Sequence, residues 1–168
     1  MSNTKIAFEI ACYGTITAEL YPDKAPLSVK NFLGLINRGF FDGLIFHRVI
    51  EGFMIQGGGY DAEMNHHDAE SIFGEFASNG FSQNDLKHTR GTLSMARTNV
   101  PNSASSQFFI MHRDAPHLDG SYAAFGRVTD DDSLSVVDKI AGVSTGRYGY
   151  FADVPREPVV ITRAYVVE

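Results

Sequence analysis

Arg48 and Gln56 stand among large apolar residues in the segment 44–59, LIFHRVIEGFMIQGGG. Arginine is among the residues least often buried, so a guanidinium in such surroundings needs a chemical reason. One reading is a charged donor held against an apolar pocket that binds something uncharged. The other is an arginine that snorkels to the rim of a sheet and pairs with a carboxylate. Other reactive constellations are weaker. His66-His67-Asp68 resembles a metal cluster, but adjacent histidines on extended chain point apart. Gly57-Gly58-Gly59 lacks the Lys-Ser/Thr and helix of a phosphate loop and reads as a bulge or tight turn. Ser106 with His47 or His112 has no nucleophile elbow around it and reads as packing. His47 is expected to be a packed, neutral histidine. No nucleophile, proton shuttle or metal is indicated.

The elements that would position Arg48 and Gln56 follow from apolar periodicity. Ile45–Ile50 reads as a strand covered on both faces, with Arg48 expected on the side of Phe46 and Ile50, and His47 on that of Ile45 and Val49. Met54, Gln56 and Gly58 share one face of a second short strand. Upstream, Lys5–Ile10 and Thr15–Tyr21 read as a hairpin turning near Tyr13-Gly14. From Leu27 to Arg38, Val29, Phe32, Leu33 and Ile36 recur at helical spacing, with Pro26 in the first turn and Gly39 as a left-handed stop. Tyr60–Arg90 is polar and reads as connected loops. Strands are expected at Thr92–Ala96, Gln107–Met111, Ala123–Val128 and Val159–Val167. A short helix is expected around Leu134, Val137 and Ile140, with Ser133 as N-cap and Gly142 as stop. Many short strands with two helices predict a closed or nearly closed β-barrel with helices over its ends.

Composition narrows the function classes. The chain of 168 residues has the length of one domain, 1–168, able to bury a substantial core. Fourteen basic against twenty acidic residues, a formal charge of −6, argue against nucleic-acid binding. No segment has the run of apolar residues needed to span a membrane. Glu9 interrupts the N-terminal apolar stretch, so no secretory leader is expected. A single cysteine, Cys12, fits a reducing compartment and reads as a small packed hydrophobe. A cytoplasmic protein is expected.

The blocks FHRVIEGFMIQGGG (46–59), LKHTRGTLSMAR (86–97), NSASSQFFIM (102–111) and HLDGSYAAFGRV (117–128) closely resemble the cyclophilin family of peptidyl-prolyl cis-trans isomerases. The match is collinear over most of the chain, and GGGYDAEM, MARTNVPNSA and DVPREPVVI resemble its cytoplasmic bacterial branch. The resemblance implies a mainly β fold, an eight-stranded antiparallel β-barrel capped by two α-helices, with the active groove on the barrel's outside. It implies a catalytic role for Arg48 and a substrate-binding role for Gln56 at the same centre. It places the apolar pocket on Phe53, Met54, Phe109 and Leu118, and a second groove glutamine on Gln107. The segment implied to pair with an extended peptide is Ala96-Arg97-Thr98. Two positions depart from many eukaryotic members: His117 stands where they carry tryptophan, and Tyr122 where they carry a pocket histidine. The implied partners are proline-containing peptides and unfolded or flexible chains, with weak binding of cyclosporin-type macrocycles, no cofactor and a monomeric state.

The chemistry suits these residue types. An X–Pro bond rotates over a barrier of about 20 kcal/mol. At the twisted state the proline nitrogen regains a lone pair, which a fixed guanidinium can bind better than either planar form. The twisted amide is also less polar, so an apolar wall favours it. With arginine as the only charged group in the step, the rate is expected to vary little between mild acid and mild alkali, His117 alone being able to impose an inflection. Two other classes remain: a proline-peptide binding module with incidental isomerase activity, and a small-molecule carrier barrel with a cavity inside.

Overall fold

The computed structural model describes residues 3–167. The strands are β1 (Thr4–Ile10), β2 (Gly14–Leu20), β3 (Arg48–Ile50), β4 (Met54–Gly57), β5 (Thr92–Met95), β6 (Phe108–Met111), β7 (Ala124–Val128), β8 (Thr145–Tyr148), β9 (Phe151–Pro155) and β10 (Ile161–Val167). The helices are α1 (Pro26–Asn37) and α2 (Asp131–Ala141). Eight strands form one antiparallel sheet in the order β10-β1-β2-β7-β5-β6-β4-β3. The sheet curls until its edges meet through flanking residues. Ile45 bridges Val160, Phe46 N donates to Val159 O at 3.1 Å, and Ile161 N to Leu44 O at 2.8 Å. This is the expected mainly β architecture with two helices.

β1 and β2 form the expected hairpin, with Ile6 opposite Ala18 and Phe8 opposite Ile16. Cys12 corrects one expectation. It sits at the hairpin tip with φ 71° and is exposed, because the tight turn swings it off the packed face. α1 buries Val29, Phe32 and Ile36 as its spacing predicts, while Leu35 is buried and Leu33 only partly covered. Gly39 follows its end at φ 69°, as expected of a left-handed stop. No local side chain caps its start. Glu75, fully buried, does so from the 60–90 region: its Oε1 accepts from Ser28 N at 2.6 Å and Ser28 Oγ at 2.8 Å, and its Oε2 accepts from Leu27 N at 3.1 Å. The carboxylate thus satisfies orphan donors at the positive end of the helix dipole.

α2 is capped by Asp130, whose Oδ1 accepts from Ser133 N at 2.7 Å. The expected N-cap, Ser133, lies inside the first turn, buried, and its Oγ accepts from Thr17 N at 2.8 Å, docking α2 on β2. The β8–β9 hairpin has no counterpart among the expected strands, since its residues show little apolar alternation.

The barrel interior is filled by phenylalanines. Phe32 of α1 meets Phe41, Phe108 and Phe125 at ring separations of 4.8–5.2 Å, and Phe8 stacks on Phe108 at 5.2 Å. Aromatic packing of this density leaves no ligand lumen, so the carrier-barrel reading fails. Among the described residues, no helix is long and apolar enough to cross a membrane.

Candidate active site on the outer face of the barrel

Arg48 reaches the outer face because the expected alternation breaks before it. Ile45 makes only an isolated bridge and regular pairing begins at Arg48. Phe46 and Val49 both pack in the core, while Arg48 and Ile50 face outward. Arg48 therefore does not share a face with Phe46, as uninterrupted alternation would require. The chain is bent there by the bridge to Val160 and by its close approach to β4. A Cβ on Gly57 would lie 2.6 Å from the Ile45 carbonyl, so only glycine fits. His47 is buried against Tyr60 at 4.7 Å, with its Nδ1 unpartnered among the described residues. Burial first, then the Arg48 and His66 charges, push its pKa down to about 4, so it is neutral as expected.

Sheet register assembles the outer face. Arg48 lies opposite Gln56 across β3–β4, and Gln56 opposite Phe109 across β4–β6. Met54, Phe109, Met111, Ala115 and Leu118 form a second apolar cluster outside the main core, with Phe53, Ala96 and Tyr122 packed on it. A pocket of about 180 Å³ opens there, lined by Arg48, Gln56 and apolar residues including Phe53, Met54, Phe109 and Leu118. Ala96, Arg97 and Tyr122 complete the lining. Arg48 Nη1 donates to Gln56 Oε1 at 3.2 Å, and Gln56 Nε2 to Gln107 Oε1 at 3.0 Å. No carboxylate lies within ion-pair distance of Arg48 among the described residues, which removes the surface ion-pair reading.

Three expected site residues stand outside this pocket. Gln107 and Thr98 line a neighbouring depression of about 280 Å³, which shares Gln56, Ala96 and Arg97 with the first. His117 is exposed at the rim, its ring stacked 6.0 Å from that of Phe53. The side chain of Arg97 is committed to the scaffold. Its guanidinium lies between the rings of Phe76 and Tyr122, at 4.7 and 4.5 Å, and donates to Ser121 O at 2.6 Å. In the same segment Ala96 N donates to Gln107 O, and Thr98 N to Ser103 Oγ, both at 2.9 Å.

Sequence reasoning missed the support behind the pocket floor. His88, 1% exposed, stacks on Phe109 at 6.0 Å, with Nδ1 3.1 Å from Asp119 Oδ1 and Nε2 2.8 Å from Ser94 Oγ. Burial holds its pKa below the ordinary value although Asp119 opposes the shift. Only the proximity of His88 to the SMAR segment hinted at this. A wider groove, about 940 Å³ between α1 and residues 68–73, lies elsewhere and is lined by charges of both signs, including Lys30, Arg38 and Glu70.

A guanidinium beside a small apolar pocket, with two linked amides at its side, is an arrangement that can receive an uncharged group. The comparisons agree with that class. Residues 5–166 match the family described as cyclophilin type peptidyl-prolyl cis-trans isomerase/CLD. The chain is 46% identical over 164 residues to peptidyl-prolyl cis-trans isomerase B of Escherichia coli, covering 93% of this chain and 96% of that protein. It is 48% identical over 153 residues to a peptidyl-prolyl cis-trans isomerase of Acinetobacter baylyi, covering 88% and 78%. A cyclophilin-type isomerase from Cryptosporidium parvum superposes with a TM-score of 0.82 at 26% identity, covering 99% of each chain. Its crystal structure in the presence of the dipeptide Ala-Pro gives 0.80 at 27% identity, covering 98% and 99%. The chain belongs to the cyclophilin-type peptidyl-prolyl cis-trans isomerase family.

Proposed function

We propose that this chain accelerates rotation about X–Pro bonds in exposed, flexible or unfolded segments, with Arg48 as the catalytic donor and no cofactor. The observation that carries the reading is an arginine without a carboxylate partner among the described residues, set at the edge of an apolar pocket sized for one small ring. Phe53, Met54, Phe109 and Leu118 hold the pyrrolidine. Gln56 orients Arg48 and holds a neighbouring carbonyl while the other side of the bond turns. The substrate backbone pairs with segment 96–98 through Arg97 N–H, since the Ala96 and Thr98 N–H groups are already bonded within the protein. Arg97 itself supports Tyr122 and the pocket wall. The enzyme works as a monomer of one domain in the cytoplasm and assists folding of client chains.

The relay from Gln107 through Gln56 to Arg48 favours an enzyme over a mere binder, because a binding module needs the pocket but not an oriented cation. Exchange NMR on an X–Pro peptide separates the two. Catalysis predicts cis–trans exchange cross-peaks at substoichiometric protein, whereas binding shifts without faster exchange would favour the module.

A further inference from the structure

The β3–β4 hairpin carries Arg48, Phe53, Met54 and Gln56, so whatever fixes its tip sets the pocket's geometry. β3 has only three residues and stands at the end of the sheet, and Gly52 in the connecting turn is exposed with φ 83°. His112, just after β6 and 5% exposed, lies under that turn. Gly52 N donates to His112 Nδ1 at 2.8 Å, and His112 N donates to Phe53 O at 2.9 Å. On the far side of the ring, Nε2 is 3.1 Å from Asp138 Oδ1 of α2. Because Nδ1 accepts, the proton of the neutral ring sits on Nε2 and points to the carboxylate.

The charged groups around this ring come from four segments. Asp138 faces it from α2. Arg90, before β5, holds Asp138 at 2.6 and 2.9 Å, and Arg113, after β6, lies 4.0 Å from the same carboxylate. Glu51, on the turn itself, reaches toward Gly142 at the end of α2. Burial, then the Arg113 charge, lower the pKa of His112; Asp138 opposes them and Arg90 adds to the lowering.

We propose that His112 is a positioning residue for the active site: its neutral ring pins the β3–β4 turn to α2, and a second proton, taken at Nδ1, releases the turn and loosens the pocket wall at Phe53. An Nδ1–H would face the Gly52 N–H donor to donor, so the anchor cannot survive protonation. The inference rests on the isomerase reading, yet the anchor can be observed without turnover.

The test measures kcat/KM on an X–Pro peptide from pH 8 to pH 5 for the wild type, His112→Asn and His112→Leu. In parallel, NMR follows the Gly52 amide and the His112 ring through the same range. The wild type should lose roughly three- to tenfold, mainly through KM, with one inflection below the ordinary histidine value, which replaces the expectation that His117 alone could impose one. Its Gly52 amide should titrate on the curve of the His112 ring. Asn offers an acceptor without a titrating group, so His112→Asn should keep near wild-type turnover at pH 8 and show a flat profile. His112→Leu should be low at every pH. An inflection that persists in His112→Asn would belong to another group, such as His117, and would overturn the proposal. So would a Gly52 amide indifferent to the His112 titration, even if the wild type proved inactive at pH 8, an outcome that would refute the isomerase reading separately.

Discussion

At the scale of single residues, His117 is expected to weigh on macrocycle binding more than on turnover. Its imidazole rests on Phe53 at the rim and offers less apolar surface than the indole found in many eukaryotic relatives. Losing about 50–100 Å² of apolar contact corresponds to about 1–3 kcal/mol, or about tenfold to a hundredfold in affinity for a cyclosporin-type macrocycle. His117→Trp should therefore raise that affinity at least several-fold while peptide turnover changes little. A wild-type chain that binds the macrocycle as tightly as the variant would contradict the rim argument. The pocket residues were legible because Phe53, Met54, Gln56, Phe109 and Leu118 lie in contiguous, distinctive blocks. His88 and His112 were not, because their partners, Asp119, Ser94, Gly52 and Asp138, are brought to them only by the fold.

At the scale of elements, α1 depends on a distant carboxylate. Glu75 accepts from the first turn's N–H groups, which have no local cap. Glu75→Gln would set an amide N–H against one of those donors and remove the favourable charge, at a cost of about 1–3 kcal/mol. Urea unfolding of both forms measures this, and a difference near zero would mean that the helix start is satisfied in another way. The helix itself was legible from Val29, Phe32 and Ile36, since one buried face imposes its period on the sequence. Its cap was not, as no local pattern points from Ser28 to Glu75. Strand alternation breaks at Phe46–His47 for a related reason. Pairing with Val160 bends the chain there, and tertiary contact overrides the period of two. Asp130 rather than Ser133 as the cap of α2 is a smaller displacement, within the first turn.

At the scale of the whole molecule, three histidines, His47, His88 and His112, have pKa values lowered mainly by burial. Each binds its proton more readily in the unfolded chain, so stability falls as pH drops below the ordinary histidine value of 6.5. For His47 the loss runs from 6.5 down to about 4. That fall corresponds to roughly 3 kcal/mol, complete below the lower value. Asp130 and Asp138, held below the usual carboxylate range by hydrogen bonds from Ser133 and Arg90, add further losses in stronger acid. Denaturant midpoints at pH 7.5, 5.5 and 4 should decline in that order, and His47→Phe should flatten the slope between 6.5 and 4. Stability that rises on acidification would contradict the assignment of neutral buried histidines. The barrel as a whole was legible from strand count and resemblance, whereas the short β8–β9 hairpin leaves no periodic trace.

The central claim is that Arg48 lowers the barrier while the apolar pocket binds proline. Turnover of an X–Pro peptide by the wild type and by Arg48→Ala, with peptide binding and the fold monitored alongside, tests it most directly. Loss of the donor should remove about 3 kcal/mol or more of transition-state stabilisation, roughly a hundredfold or more in kcat/KM. The fold should remain intact, because the side chain is exposed on the outer face. Equal rates for the two forms would contradict the account.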